Sequence, residues 1–344
     1  MKRILLSIAA GLICLPLLSQ EADGLGNFAE LHLVPRIEGN PYFSNSENGF
    51  SLGNTSLYTF LDGNLSENLS FSFSNHWVAL EWGEMSETLG SLYKNSFRSD
   101  DYTWCDWANL TYSFNNFEIT VGKDCSFAGG WENDANDVDC HLGLCSTFWD
   151  TFVTYQWGGS FRYTLPSEKS SFALQVCSSP YGEKPFASGL YMYSAQWLGN
   201  FEPFMTKWAV SLVEEEKGQF FPLVSLGTKL AYENGEFGFD YMNALGDYMY
   251  EVPMMAGRTL QLWAQWSPSD KWDLIAKGLV EGYRESKDFG PGRGTNWRGG
   301  GGVHFYPLRD SKALRLHLIG SYDSLSDSAV VSFGATFDWT INIK

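Results

Sequence analysis

The sequence has few basic residues and, beyond its first twenty positions, no long hydrophobic run. Only 23 lysines and arginines oppose 40 acidic residues, for a formal charge of −17. A chain this acidic is not expected to bind nucleic acid, whose phosphates would repel it. A membrane-spanning helix needs roughly 20 consecutive apolar residues, and polar side chains interrupt every stretch after Ser19. The sequence therefore argues against a helical membrane protein and against a nucleic-acid-binding protein.

The first nineteen residues have the composition of a secretory signal peptide. Lys2 and Arg3 provide the positive start, an apolar stretch covers residues 4–18, and Ser19 is a small residue at a plausible cleavage position. A lipoprotein cut before Cys14 is the less favoured alternative. We therefore expect export from the cytoplasm.

Motifs for catalysis and for a resident metal are missing. The sequence has no G-x-S-x-G, no H-E-x-x-H and no C-x-x-C. We expect no enzyme activity, no catalytic residue, no metal and no cofactor. Among the five histidines only His141, near Asp139, is kept as a candidate, and a solvated loop histidine is the favoured interpretation of it.

Cysteines are few, and three of them fall in one predicted loop. The mature chain would hold five, so at least one has no partner for a disulfide. A disulfide among Cys125, Cys140 and Cys145 is an expectation, with free buried thiols as the alternative.

Aromatic residues, in contrast, are abundant. The chain holds 14 Trp, 17 Tyr and 25 Phe, 16% of its residues. Apolar and polar residues also alternate strictly over many segments, as in a strand with one face in lipid and the other in water. The last such segment carries one apolar set at Val331, Phe333, Ala335, Phe337, Trp339, Ile341 and Ile343. Aromatic girdles and alternating strands are typical of transmembrane β-barrels.

The fold class predicted from these patterns is all-β, a transmembrane antiparallel up-and-down β-barrel of about sixteen strands over residues 20–344. The predicted strands are 28–38, 50–62, 68–82, 104–114, 117–124, 148–164, 171–178, 190–199, 204–213, 219–232, 236–245, 257–267, 271–284, 296–306, 313–324 and 328–342. Short turns alternate with longer loops at 39–49, 83–103, 125–147, 179–189 and 246–256. Such alternation is the pattern of bacterial outer-membrane barrels, whose external loops are long and periplasmic turns short.

The third external loop, residues 125–147, is the most informative. Its acidic residues Glu132, Asp134, Asp137 and Asp139 follow Trp131, with no basic residue between them. Together with the late segments 297–308 and 314–322, this loop resembles the porins of Gram-negative bacteria, and within them the phosphate-selective porin O and P type group. The resemblance implies that the third loop folds inward and constricts the pore. A calcium site in the loop is the weaker alternative, because the spacing of an EF-hand is missing.

Five basic residues have the parity of the barrel interior: Arg36, Arg162, Lys277, Arg298 and Arg315. They could form a basic wall opposite the acidic loop and set selectivity, or pair with interior carboxylates such as Glu38 and Asp273. A phosphate-selective pore would need a basic constriction, which this acidic loop does not offer. We therefore do not transfer phosphate selectivity from the resemblance.

The function expected from the sequence is a porin in the bacterial outer membrane, through which small hydrophilic solutes or ions diffuse passively. The expected partners are these solutes and the lipid of the outer membrane, and the porin resemblance implies a homotrimer. The alternatives are a non-conducting structural or adhesive surface barrel and, less favoured, an outer-membrane hydrolase.

Overall fold

A computed structural model describes residues 28–45, 48–53, 55–79, 105–134, 140–182, 187–245, 257–282 and 295–343. The predicted signal peptide lies outside these residues. Most of them belong to one antiparallel sheet. In the part of the chain that the structure describes, no helix has the length and apolar character to cross a membrane.

The sheet contains eighteen strand segments. They are β1 (Ala29–Ser44), β2 (Asn48–Ser51), β3 (Ser56–Ser66), β4 (Leu69–Ala79), β5 (Trp107–Phe114), β6 (Phe117–Cys125), β7 (Tyr155–Thr164), β8 (Ser170–Ser178), β9 (Tyr191–Phe201), β10 (Phe204–Glu216), β11 (Gln219–Tyr232), β12 (Gly235–Ala244), β13 (Arg258–Ser269), β14 (Trp272–Gly282), β15 (Thr295–Phe305), β16 (Leu314–Asp323), β17 (Ser328–Phe337) and β18 (Trp339–Ile343).

The first strand closes the barrel. On one side β1 pairs with β2 and β3, and on the other side with β17 and β18. β2 and β3 are therefore two halves of one interrupted strand, and so are β17 and β18. The architecture is a closed antiparallel barrel of 16 strands. This confirms the predicted fold class and strand number.

The alternation read from the sequence corresponds to two faces of the wall. Along β1, Arg36 and Glu38 are each 1% exposed, whereas Ile37 between them is 68% exposed. Along β16, His317 is buried, and its neighbour Leu318 is exposed. Polar side chains thus point into the barrel and large apolar ones point out of it. This outer apolar surface is the surface that lipid would cover.

Connections between strands are uneven at the two ends of the barrel, as predicted. At the end that holds Ala29 and Ile343, they span two to eight residues. At the opposite end, the connections after β4, β6, β8, β12 and β14 are long. The predicted long loop at 39–49 is wrong, because β1 continues to Ser44 and pairs with β2 in a tall hairpin. Gly39, Asn40 and Pro41 were read as loop residues but extend the strand.

The largest departure from the predicted strands lies before β7. Residues 148–154 were expected to continue that strand, but a short helix covers Thr147–Thr151. Ser146 caps its N-terminus, since its side-chain oxygen accepts a hydrogen bond of 3.1 Å from the Trp149 N–H. We call residues 126–154, the connection between β6 and β7, the inner loop. Its described parts are 126–134 and 140–154.

Candidate functional site in the barrel lumen

The inner loop lies against the interior wall of the barrel. Its backbone N–H groups donate to inward-facing side chains, from Phe127 to Gln175 at 2.9 Å and from Gly129 to Ser225 at 2.9 Å. Because a backbone that leaves the sheet must find new partners for its N–H groups, the wall side chains define the path of the loop. Farther along, the loop contacts β12 to β16 and β1.

Asp240 of β12 is a clamp for the first turn of the loop. Its Oδ1 accepts from the Trp131 N–H and its Oδ2 from the Glu132 N–H, both at 2.9 Å. Two glycines permit this approach. A Cβ on Gly130 would lie 2.3 Å from the Asp240 carboxylate, and one on Gly227 would lie 2.7 Å from it. The clamp therefore depends on small residues on both the loop and the wall.

Glu132 joins the two ends of the loop to each other and to the wall. Ser146 donates its N–H to Oε1 at 2.9 Å and its hydroxyl to Oε2 at 2.5 Å. Gln261 donates to Oε2 at 3.0 Å, and Lys277 forms an ion pair with Oε1. Burial by itself raises the pKa of the Glu132 carboxyl, but Lys277 and Ser146 outweigh it and hold that pKa below its usual 4.5. Glu132 is therefore a buried carboxylate with a full set of partners.

A second carboxylate holds the short helix. Glu281 of β14 accepts the Thr147 N–H at 2.7 Å and the Thr147 hydroxyl at 2.8 Å. Glu281 is fully buried. The helix N-terminus thus rests on a negative charge from the wall, as the helix dipole favours.

The helix carries apolar side chains into the lumen. Phe148 and Phe152 stack with ring centroids 4.6 Å apart. They pack in an apolar cluster with inward-facing side chains of β8 to β12. The cluster consists of Ala128, Phe148, Phe152, Cys177, Met192, Val213, Phe221, Leu223, Met242 and Ala244. One side of the lumen is therefore filled by a packed core rather than lined by polar groups.

The part of the inner loop that precedes the helix contacts the wall through a histidine cluster. The Nε2 atoms of His141 in the loop and His304 of β15 are 2.9 Å apart, and His317 of β16 packs edge-on against His141. All three rings are buried. The sequence interpretation of His141 as a solvated loop residue is therefore wrong. The loop enters the barrel far enough to bury this ring.

Arg36 and Glu38 of β1 complete the cluster. Arg36 Nε donates to Glu38 Oε2 at 3.0 Å, and Arg36 Nη1 donates to the Cys140 carbonyl at 2.8 Å. His317 Nε2 lies 3.1 Å from Glu38 Oε2. Burial and the positive charge of Arg36 hold the pKa of His141 well below its ordinary 6.5, so that its ring is neutral at pH 7.

The acidic residues predicted in the constriction are not a free acidic ring in the described part of the chain. Glu132 is paired with Lys277, and Asp134 with Lys207. Trp131 is half-buried, and the Lys229 ammonium lies 4.4 Å from the centre of its ring. The other two predicted residues, Asp137 and Asp139, lie outside the described residues.

The five predicted interior basic residues have different surroundings. Arg36, Lys277 and Arg298 contact the inner loop, Arg298 through the Cys145 carbonyl and with Asp323 as its acidic partner at 2.9 Å. Arg162 lies 3.6 Å from Glu118, with both side chains about a third exposed or more. Arg315 lines an open part of the lumen. Three of the five thus bind the loop instead of facing it across a gap.

The predicted disulfide is wrong, since no disulfide joins Cys125, Cys140 and Cys145 in the described part of the chain. The sequence reading also missed Asp240, which holds the loop. Asp240 is a charged residue of interior parity within a strand, flanked by Phe239 and Tyr241. That pattern is the signal by which it could have been found.

Open space remains along β1 and its neighbouring strands, where no described residue of the inner loop lines it. A cavity of about 420 Å³ lies along β1, β3 and β16 to β18, lined by His32, Asp62, Lys312, Arg315 and Asp338 among others. A neighbouring cavity of about 380 Å³ shares Asp62 and is lined by Glu30 and polar residues of β4 and β5. The open part of the lumen is therefore polar, with charges of both signs.

Solved structures resemble this architecture over almost its whole length. OmpF of Salmonella typhi, solved with daunomycin, has a TM-score of 0.66 at 12% identity and covers 91% of this chain and 98% of its own. OmpTdeltaL8, a loop-deletion mutant of an outer-membrane protein of Vibrio cholerae, has a TM-score of 0.59 at 11% identity over 91% of this chain and 99% of its own. A mutant of the Rh. blastica porin has a TM-score of 0.55 at 11% identity over 90% of this chain and 100% of its own.

The chain has a porin fold. No protein-family model matches the sequence, and no curated protein matches it either. At such low identities the structural likeness concerns the porin-type barrel alone.

Proposed function

We propose that this protein is an outer-membrane porin through which small hydrophilic solutes or ions diffuse passively. The observation that carries the proposal is that the lumen is divided between the inner loop and open polar space. The inner loop is fixed to the wall from β8 to β1, and polar cavities lined by Asp62 and Arg315 lie along β1 and its neighbouring strands. A barrel of this strand number leaves room for an aqueous channel, and the loop narrows it.

The porin proposal includes a location. The outward-facing apolar and aromatic side chains suit the lipid of a bacterial outer membrane, which a signal peptide would let the chain reach. A homotrimer is part of the proposal by analogy with porins.

We infer a weak cation preference. The acidic residues of the described inner loop are paired with lysines, so charge in the open lumen decides selectivity. There Glu30, Asp62 and Asp338 oppose Lys312 and Arg315. Rings of acidic side chains favour cations, and this slight acidic excess gives no reason to propose phosphate selectivity, despite the resemblance to the phosphate-selective group.

Planar-bilayer recording of the refolded protein tests the proposal. The wild type is expected to conduct, and its reversal potential in a KCl gradient is expected to show cation preference. Asp62→Lys should shift that potential toward anion preference. Asp270→Lys, which makes the same charge change in an exposed turn between β13 and β14, is the matched control. Absence of channels at every voltage would disprove the porin proposal.

A non-conducting barrel is the second candidate, and one observation favours it. The apolar cluster around Phe148 seals the lumen along β8 to β12. If the cavities on the opposite side do not join across the barrel, the protein is a surface barrel with a plugged interior. The same recording separates the two candidates, because a plugged barrel gives no current.

A hydrolase centred on His32 is disfavoured by the arrangement of its neighbours. His32 Nδ1 lies 2.8 Å from Asp338, and the Thr340 hydroxyl lies 3.4 Å from that same nitrogen. A catalytic histidine needs its acid and its nucleophile on opposite ring nitrogens. Assays with ester and peptide substrates test the proposal that the protein is not an enzyme.

A further inference from the structure

Three histidines and a glutamate meet where the inner loop touches the wall. Glu38 comes from β1, His141 from the loop, His304 from β15 and His317 from β16, and none is more than 7% exposed. One oxygen of Glu38 and one ring nitrogen each of His141 and His317 lie within 4.8 Å of one another. Imidazole and carboxylate together are ligands that suit zinc-class ions.

His317 is incompletely satisfied by the surrounding hydrogen bonds. Its side chain is fully buried, Nδ1 has no hydrogen-bond partner, and Nε2 has Glu38 Oε2 as its polar contact at 3.1 Å. Buried polar groups without partners are uncommon and costly. A bound cation would use the Nε2 lone pair that faces the cluster and would leave the Nδ1 atom to carry the proton.

The cluster already surrounds a cationic group. Arg36 Nη2 donates to Glu38 Oε2 and lies 3.3 Å from His141 Nδ1. The guanidinium end therefore occupies the space between the Glu38 carboxylate and the His141 ring. It can withdraw toward the Cys140 carbonyl, to which Arg36 Nη1 already donates at 2.8 Å.

The histidine tautomers suit metal binding as well. A cation on His141 Nδ1 leaves the proton on Nε2, which can donate to His304 Nε2 at 2.9 Å. Metal-bound histidines commonly donate their second ring N–H to such an acceptor, which fixes the ring orientation. His304 is thus a positioning residue and not a ligand.

We propose that Glu38, His141 and His317 bind a divalent transition-metal ion of the zinc class in place of the Arg36 guanidinium. Three protein ligands leave a fourth position for water. The ligand atoms lie within 4.8 Å of one another, and the more distant of them must approach to roughly 3.3 Å, the separation that zinc–ligand bonds of about 2.0–2.1 Å give in a tetrahedron. Because His141 belongs to the loop and the others to the wall, the ion would cross-link the inner loop to β1 and β16.

Calorimetric titration of Zn²⁺ into the full-length, EDTA-stripped protein in detergent tests the site. We expect one ion per chain. His141→Ala and His317→Gln should each weaken the affinity by at least about tenfold. His32→Ala is the matched control, since His32 pairs with Asp338 outside the cluster. Circular dichroism of each variant verifies that the barrel has formed.

The variant Arg36→Met distinguishes a metal site from a cluster that has only a structural role. Removal of the competing cation should strengthen Zn²⁺ binding, whereas loss of a mere packing residue would weaken it or leave it unchanged. No stoichiometric binding by the wild type, or equal losses in His317→Gln and His32→Ala, would overturn the proposal.

A conductance measurement extends the test and rests on the proposed function. Zn²⁺ should change the single-channel conductance of the wild type but not that of His317→Gln. If the protein forms no channels, the porin proposal fails while calorimetry still decides the metal site. If it conducts without binding Zn²⁺, the metal site fails and the porin proposal stands.

Discussion

Glu132 of the inner loop and Lys277 of β14, 145 positions apart in the chain, form an ion pair inside the barrel. The carboxylate also accepts two hydrogen bonds from Ser146, and the ammonium comes from the wall. One buried contact thus holds the start of the loop, its end and the barrel together.

Loss of the Lys277 charge should release the loop. Lys277→Met leaves Glu132 as an uncompensated buried charge, at a cost of about 3–5 kcal/mol. Chymotrypsin should then cleave after Trp131 or Phe148 faster than in the wild type. Lys217→Met, in the exposed hairpin between β10 and β11, is the control and should not change cleavage. The double variant Lys277→Met/Glu132→Gln should recover part of the loss, and failure to do so would show that the charge is not the cause.

Acid should weaken the same contact. The pKa of Glu132 is lowered in the folded protein, so its ionised form stabilises the docked loop. That stabilisation is complete above the ordinary pKa of 4.5 and is lost as pH falls through the lower, folded value. Chymotrypsin is inactive in this range, so pepsin cleavage between pH 4.5 and 2.5 is the measurement. Glu132→Gln should flatten this pH dependence, and an unchanged profile in that variant would contradict the assignment.

The Asp240 clamp should not tolerate a methyl group. Gly130→Ala places a Cβ 2.3 Å from the carboxylate, and such overpacking costs about 1–3 kcal/mol. Gly278→Ala on β14 is the matched control, because its Cβ would meet nothing within 4 Å. Thermal denaturation in detergent should show a lower midpoint for the first variant only. Equal midpoints would mean that the loop shifts at no cost.

Phe148 should be important for the filled side of the lumen. Phe148→Ala leaves a cavity in the apolar cluster and should cost about 3–5 kcal/mol. Phe172→Ala, on the lipid-facing side of β8 where Phe172 is 50% exposed, removes the same ring without a cavity. Urea midpoints of the two variants test this, and a larger loss for Phe172→Ala would contradict the packing. We also expect larger single-channel conductance for Phe148→Ala.

The wall could be predicted from the sequence because each strand obeys a local rule. Side chains of β16 and β17 alternate between lipid and lumen, so the period in the sequence reveals both faces. The rule fails for residues 148–154. Phe148 and Phe152 are four positions apart, a spacing that fits one face of a strand and also one turn of a helix. Nothing in the local sequence distinguishes a strand from a helix here.

The interior contacts could not be predicted, because they depend on how deep the loop reaches. The proximity of His141 to His304 and His317 follows from that depth and from the closure of the barrel. The sequence also suggested a basic wall facing acidic residues across open water. Lys277 and Arg298 instead bind the loop directly, since buried charges need partners at contact distance.

The cysteines of the inner loop, which form no disulfide with another described cysteine, give the native protein a built-in probe. Cys140 and Cys145 are 7% and 3% exposed while the loop is docked. An alkylating reagent can reach them only after the loop leaves the wall, so their labelling rate reports the fraction of molecules with a released loop. Cys177 of β8 packs in the apolar cluster with Phe148 and Phe152 of the same loop, so its labelling reports release of the helix side of the loop. Mass spectrometry of the three labelled cysteines would thus distinguish release at the histidine cluster from release of the whole loop, with no engineered label.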